Sequence, residues 1–246
     1  MQEYQLSGFR ILEYDELEST NSEAARLGWK ELEDKMVILT YRQTQGKGQV
    51  GNHWESEPGK NISMTVVFKP EGLLAGEQFA VSMAVALGTR DFLSRYVENV
   101  SVKWPNDVYA GERKIAGILI EHAVLGREVA FSFCGIGLNV NQSRFLSDAP
   151  NPVSLVQLTG TEKNLTETLA ELLSAIGRRY EQVYNYDKLE KDFISVLYRR
   201  EGVYRWKDEQ GIFRASVLGI NEYGQLLLRD TEGKERVYGF KEVAYL

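Results

Sequence analysis

A lysine, a large aromatic, a proline, an amide and a carboxylate stand consecutively at Lys103-Trp104-Pro105-Asn106-Asp107. An ammonium group fixed at a strand end beside a rigid turn suits stabilisation of a phosphoryl transition state, and its neighbours add directed hydrogen bonds. The same five residues also make an ordinary surface turn, and residue types alone leave both readings open. A second cationic stretch, Gln43-Thr44-Gln45-Gly46-Lys47-Gly48-Gln49-Val50-Gly51-Asn52-His53-Trp54, sets glycines around Lys47. Glycines let backbone amides approach an anion closely, so the loop suits a phosphate or carboxylate, or is a plain hairpin connection. It does not follow the P-loop spacing.

Further candidates lie nearby in the chain. Lys114 opens an apolar run and either snorkels out of it or faces a ligand. Gly135, Gly137 and Asn139 recur at every second residue, which on a strand clears one face and ends it with an amide; a crowded sheet contact is the alternative. Ser19-Thr20-Asn21-Ser22 offers several helix caps, with a hydroxyl or amide to spare for a polar ligand. Trp54 either joins the core or covers a flat bicyclic ligand. His53 and His122 have no partners at zinc spacing, and Cys134 reads as a small buried hydrophobe. No metal site built from side chains is expected.

These residues need a sheet to hold them. Residues 11–17, 36–41, 62–68, 100–103, 114–124 and 128–138 carry strand patterns, and residues 107–113 form a hairpin turning at Gly111. Helices are expected over residues 19–27, 76–96, 165–183 and 189–198, the third strongly amphipathic through Leu165, Leu169, Leu172, Leu173, Ile176, Tyr180 and Val183. Residues 139–152 are long and polar enough for a functional loop. After residue 200 the pattern changes to short strands separated by Gly211, Gly224 and Gly233. That tail reads as a small β-barrel or meander of about 45 residues, too small to be stable alone and therefore docked on the main domain.

The 246 residues suit one large domain with a small appended one. With 43% hydrophobic and 26% charged residues, the composition argues against disorder, and a net charge of -6 argues against non-specific binding to nucleic acid or anionic membrane. One cysteine excludes an internal disulfide framework. No secretory signal or membrane-spanning run is visible, so a cytoplasmic protein is expected.

Taken together, Glu18-Ser19-Thr20-Asn21, Gln43-Thr44-Gln45-Gly46-Lys47-Gly48, Lys103–Asp107, Lys114-Ile115-Ala116-Gly117-Ile118-Leu119 and Gly135-Ile136-Gly137-Leu138-Asn139 resemble the biotin protein ligases in order and spacing. The resemblance covers residues 10–200 and, more weakly, the tail. It implies an α+β fold with a mixed central sheet and flanking helices, related to class II aminoacyl-tRNA synthetases, over residues 1–200. It also implies a small SH3-like C-terminal β-barrel over residues 201–246. Such enzymes join biotin to the α-phosphate of ATP, with Mg2+, and pass it to a lysine of a biotin carboxyl carrier protein. Carried over, the resemblance assigns Ser19, Thr20, Asn21, Gln43, Gly46, Lys47, Gly48, Lys103, Gly117 and Ile118 to biotin. Gln49, Trp54, Asn106, Lys114 and Asn139 fall to the nucleotide, and Lys103, Lys47 and Asp107 to catalysis, with Asp107 handling the acceptor lysine. The 139–152 loop becomes the lid over the adenylate.

Two departures qualify the match. Gln49 stands where many relatives have an arginine tied to retention of the reactive adenylate. About ten residues precede the first expected strand, which leaves no room for the winged-helix repressor domain of some relatives, so no DNA binding is expected. A monomer or a ligand-dependent homodimer is expected, with no membrane partner. The rivals are a lipoate or octanoate ligase or transferase, and a non-catalytic biotin-responsive binding protein.

Overall fold

The computed structural model describes residues 1–49, 53–147 and 151–246. The alternating and apolar runs assemble into one eight-stranded sheet. Its strands are β1 (Gln2–Leu6), β2 (Phe9–Tyr14), β3 (Met36–Thr40), β4 (Ile62–Phe68), β5 (Val100–Lys103), β6 (Asp107–Ala110), β7 (Arg113–Leu125) and β8 (Glu128–Leu138). The spatial order is β1-β2-β3-β4-β8-β7-β6-β5. Only β2 and β3 run parallel, joined through α1 (Thr20–Arg26), which makes the sheet mixed. The first strand starts at Gln2, earlier than the sequence pattern suggests, because β1 is a mostly exposed edge strand whose burial leaves little apolar signature.

The two faces of the sheet are covered differently. Helix α1 packs over β3, β4 and β8, while α2 (Phe79–Leu93) covers β5, β6 and β7 and contacts α4 (Leu165–Tyr180) and α5 (Tyr186–Ser195). A short α3 (Leu155–Thr159), too brief to read from periodicity, follows the 139–152 loop. The main core joins α2, α4 and α5 to Ile62, Met64, Val66 and Phe68 of β4 and to Cys134, Ile136 and Leu138 of β8. A smaller cluster beneath α1 holds Ala24, Val67, Phe131 and Phe133. Among the described residues, no helix is long and apolar enough to cross a membrane.

The tail corrects the expectation of a barrel. Strands β9 (Tyr204–Asp208), β10 (Gly211–Ile220), β11 (Leu226–Asp230), β12 (Glu235–Tyr238) and β13 (Ala244–Tyr245) form a separate five-stranded open sheet, ordered β12-β11-β10-β9-β13. Closure would require β12 to pair with β13, but β13 contributes two residues and both pair with β9. The apolar side does not need to close on itself. Trp206, Ala215, Val217, Ile220, Leu226 and Leu228 are buried within the main core, so docking supplies the burial that closure would have given.

Candidate active site

On the α1 side of the sheet, a cavity of about 140 Å³ opens over β4, β7 and β8. Its floor consists of small residues from adjacent strands. Gly117 pairs with Gly137 across β7 and β8, while Ser63 pairs with Gly137 and Thr65 with Gly135 across β4 and β8. The glycines are required by close approach. A Cβ on Gly137 would run into the Trp54 indole, and one on Gly117 would stand 2.9 Å from Trp54 Cζ3. A Cβ on Gly135 would strike Asn21 Oδ1.

One end of the cavity is polar and neutral. Ser19 caps α1, its side chain accepting from Ser22 N, and Thr20 and Asn21 follow on the buried side of the helix. The Thr20 backbone N–H donates to Gln43 Oε1 at 3.0 Å, which fixes the orientation of that amide. Asn21 acts as a strut. Its Oδ1 accepts from Thr65 Oγ1 at 2.6 Å, and its Nδ2 donates to Leu119 O at 3.3 Å and Glu121 Oε2 at 2.8 Å.

The other end is charged. Lys114 Nζ pairs with Asp107 Oδ1 at 2.8 Å and lies 5.6 Å from the centre of the Trp54 ring. Asp107 sits opposite Gly117, and a bulge between Val108 and Tyr109 brings Lys114 opposite Tyr109. Without the bulge, strand alternation would turn Lys114 to the same side as Ala116; the extra residue turns it toward Asp107 and Gly117. Asn106 donates through Nδ2 to Ile118 O, and Gln49 Nε2 donates to Asn106 Oδ1 at 3.1 Å, tying the glycine loop to this turn. The loop folds back on itself through Trp54 N to Gly46 O at 2.9 Å and a bridge between Lys47 and His53.

Two buried polar atoms at the cavity, Trp54 Nε1 and Ser63 Oγ, have no hydrogen-bond partner. Burying such groups costs about 1–3 kcal/mol each, so the cavity suits a ligand that carries acceptors. Next to Trp54, Glu55 accepts from Leu146 N at 2.8 Å and Ser147 N at 2.7 Å, and from Gln142 Nε2 at 2.9 Å. Burial pushes the Glu55 carboxyl up, but hydrogen bonds from Ser147, Leu146 and Gln142 outweigh it and hold it below the usual carboxylate range. The glycine loop and the polar loop after β8 are thereby fastened together.

The sequence pattern of the Biotin/lipoate A/B protein ligase family matches residues 15–139 of this chain. The biotin--[acetyl-CoA-carboxylase] ligase of Paracoccus denitrificans is 30% identical over 235 residues, covering 89% of this chain and 93% of that protein. The chain belongs to this family. The bifunctional ligase/repressor BirA of Bacillus subtilis is 26% identical over 242 residues, covering 95% of this chain and 74% of that protein. Among solved structures, the biotin protein ligase of Aquifex aeolicus, in complex with biotin and ATP, shares the fold. Its TM-score is 0.76 at 23% identity, over 95% of this chain and 97% of that one.

Most of the site residues expected of this family member meet in the one cavity. Ser19, Thr20, Asn21, Gln43, Lys47, Gly48, Gln49, Trp54, Asn106, Asp107, Lys114, Gly117 and Ile118 all line it. Lys103, Gly46 and Asn139 do not. Lys103 Nζ is turned to the edge of the sheet, donating to Tyr109 Oη at 3.1 Å, and burial lowers its pKa against the pull of Asp107. The lysines that line the cavity are Lys47 and Lys114. Asn139 is buried and donates through Nδ2 to Val153 O at 3.0 Å, clamping the ends of the loop after β8 instead of facing the cavity. Gly46 packs within the loop, where a Cβ would meet Trp54 O and Gln43 Nε2. Gly51 of that loop and Pro150 of the 139–152 segment lie outside the described residues. Ser63, Met64, Pro105, Leu119 and Ile136 also line the cavity, although no ligand contact is expected of them from the sequence. Ser63 had a signal: with Thr65 it is a small polar residue on one face of a strand whose other residues are apolar.

Proposed function

We propose that this chain is an ATP-dependent biotin–protein ligase and that the cavity holds biotin and the adenylate. The observation that carries this is the placement of Lys114. Its ammonium lies over the glycine floor between the Asp107 carboxylate and the Trp54 indole, at the opposite end from Ser19, Thr20 and Gln43. A bicyclic ureido ring offers a carbonyl acceptor and N–H donors, which match hydroxyls and a primary amide. The dithiolane of lipoate has no such groups, so the polar end favours biotin.

In the first half-reaction, a biotin carboxylate oxygen attacks the α-phosphorus of ATP. The bond from that phosphorus to the bridging oxygen breaks, and pyrophosphate leaves. Negative charge gathers on the α-phosphate oxygens, and Lys114, aided by Lys47 and the amides of the glycine loop, is the group set to stabilise it. Asp107 holds Lys114 in place through their ion pair. In the second half-reaction, a neutral lysine amine of the carrier attacks the acyl carbon, the carbon–oxygen bond to AMP breaks, and the amine proton is lost. Trp54 supplies a flat face for adenine, with Asn106 and Gln49 beside it.

The described residues contain no group of three or more His, Cys, Asp or Glu side chains suited to a metal ion. Mg2+ therefore enters this proposal as the counter-ion of ATP phosphates, and no step runs through a protein-held metal. The acceptor is a biotin carboxyl carrier protein or domain, and the reaction is assigned to the cytoplasm, where ATP is available. Residues 1–200 form the catalytic unit in this proposal, and residues 201–246 support it.

Biotin-dependent ATP–pyrophosphate exchange, with lipoate as control, tests the first step. Exchange with biotin and none with lipoate is expected, whereas exchange with lipoate alone would reject the assignment. Transfer of labelled biotin to a carrier domain tests the second step.

A further inference from the structure

The first lysine of Lys103–Asp107 stands outside the cavity yet is surrounded by a built environment. Its Nζ lies 4.8 Å from the centre of the Tyr109 ring, 5.9 Å from that of Tyr198 and 4.9 Å from that of Tyr245. The rings come from separate parts of the chain: β6, the segment after α5, and β13 of the C-terminal sheet. Arg199 backs them at 5.2 Å from Tyr198 and 6.0 Å from Tyr245, and its Nη1 donates to Leu246 O at 2.7 Å. It does so from a left-handed backbone, φ 57°, which a non-glycine residue adopts only when its surroundings hold it there. Below the rings, Val102 N donates to Val196 O at 2.9 Å and Tyr198 N to Val102 O at 2.8 Å, so β5 is stitched to this segment as well.

The aromatic faces present negative potential to the ammonium, and desolvation strengthens the attraction. Lys103 is also the cross-strand partner of Asp107, whose carboxylate holds Lys114 in the cavity. A path of neighbours thus runs from the C-terminal sheet to the reacting centre: the Tyr245 ring against the Lys103 ammonium, Lys103 paired across the strands with Asp107 and attracted to its carboxylate, and Asp107 in its ion pair with Lys114.

We infer that Lys103 and Tyr245 are positioning residues, forming a cation–π clasp through which the C-terminal sheet sets the Asp107–Lys114 pair. The inference rests on the ligase activity proposed above for that pair. Small misplacements of a reacting group cost on the order of a hundredfold, so the clasp acts on the rate of adenylation more than on biotin binding.

Six proteins test it in the pyrophosphate exchange assay: wild type, K103R, K103M, Y245F, Y245L and the double variant K103M/Y245L. K103R keeps the cation and Y245F keeps the ring, so both should stay within about threefold of wild type. K103M and Y245L should each lower kcat roughly 10- to 100-fold with little change in KM for biotin. The double variant should be no worse than the poorer single one, because one shared contact is lost. Independent, multiplying losses would overturn the clasp, as would K103M at wild-type rate or K103R as slow as K103M. If K103M does not fold, Y245L reads the same contact from the other side. Amide hydrogen exchange over residues 239–246 provides a readout that does not depend on turnover. It should quicken in K103M and Y245L and not in K103R or Y245F, and unchanged protection in K103M and Y245L would overturn the clasp. A wild type inert with biotin would instead reject the ligase reading, and the exchange data would still decide whether the clasp exists.

Discussion

The two faces of the eight-stranded sheet are made by the same strands and differ most sharply at the end that carries the cavity. Toward α2, α4 and α5, β4 and β8 present the buried Ile62, Met64, Val66, Phe68, Cys134, Ile136 and Leu138, joined by stacking of Phe68 on Tyr180 at 3.7 Å. Toward α1, the alternate residues at the cavity end of the same strands are Ser63, Thr65, Gly135 and Gly137, while Val67, Phe131 and Phe133 pack beneath the helix at the other end. Large apolar side chains on one side give the sheet its stability. Small and polar ones on the other leave room above it, and Trp54, Asn21 and Lys114 close around that room. The period of two in a strand lets a rigid core and an open site share one backbone.

Substitutions on the two faces should therefore fail in different ways. Lys114→Met removes the cation of the open face, and pyrophosphate exchange should fall about 10²- to 10³-fold while the urea midpoint stays unchanged. Loss of stability without loss of exchange would contradict the contrast. Leu172→Ala, at a fully buried position of α4 on the packed face, should cost about 2–5 kcal/mol in urea unfolding. Its exchange rate per folded molecule should remain that of wild type.

Gly137→Ala asks whether the glycine floor is a matter of space. Its Cβ would meet the Trp54 ring, and the misfit of about 1–3 kcal/mol should appear as a roughly tenfold to hundredfold rise in KM for ATP. An unchanged KM would show that Trp54 moves aside freely. The smallest effect concerns His122, whose Nδ1 lies 2.9 Å from Ser132 Oγ at the margin of the packed face. Burial pushes its pKa down from 6.5 to about 4. The unfolded chain then binds a proton that the folded chain refuses, so this residue costs stability as pH falls from 6.5 to about 4 and nothing further below. Urea midpoints at pH 7 and 4.5 should differ less in His122→Gln than in wild type.

Much of the site was legible in the sequence because its signals are local. The pair Gly135 and Gly137 marked a cleared face, Ser19 marked a helix start and Gln43 through Trp54 marked a loop able to approach an anion. The ligand class came from resemblance, since no single spacing among these residues specifies biotin. The less legible positions depend on distant partners. Ser63 matters because Gly137 lies beside it, and Glu55 because its hydrogen-bond partners lie on a loop that returns after β8.

By itself, the sequence determined the alternation of the strands, the amphipathic helices and the glycine loop around Lys47. Those properties follow from residue types a few positions apart. Only the tertiary structure decided which lysine faces the cavity. A single-residue bulge between β6 and β7 turns Lys114 inward, while Tyr198 and Tyr245, far away in the chain, surround Lys103 at the sheet edge. It also decided that the tail stays open, because Trp206 and its neighbours bury themselves against the main core instead of one another. Strand register and domain docking are set by contacts between residues remote in sequence, and a side chain at a strand end points wherever those contacts take it.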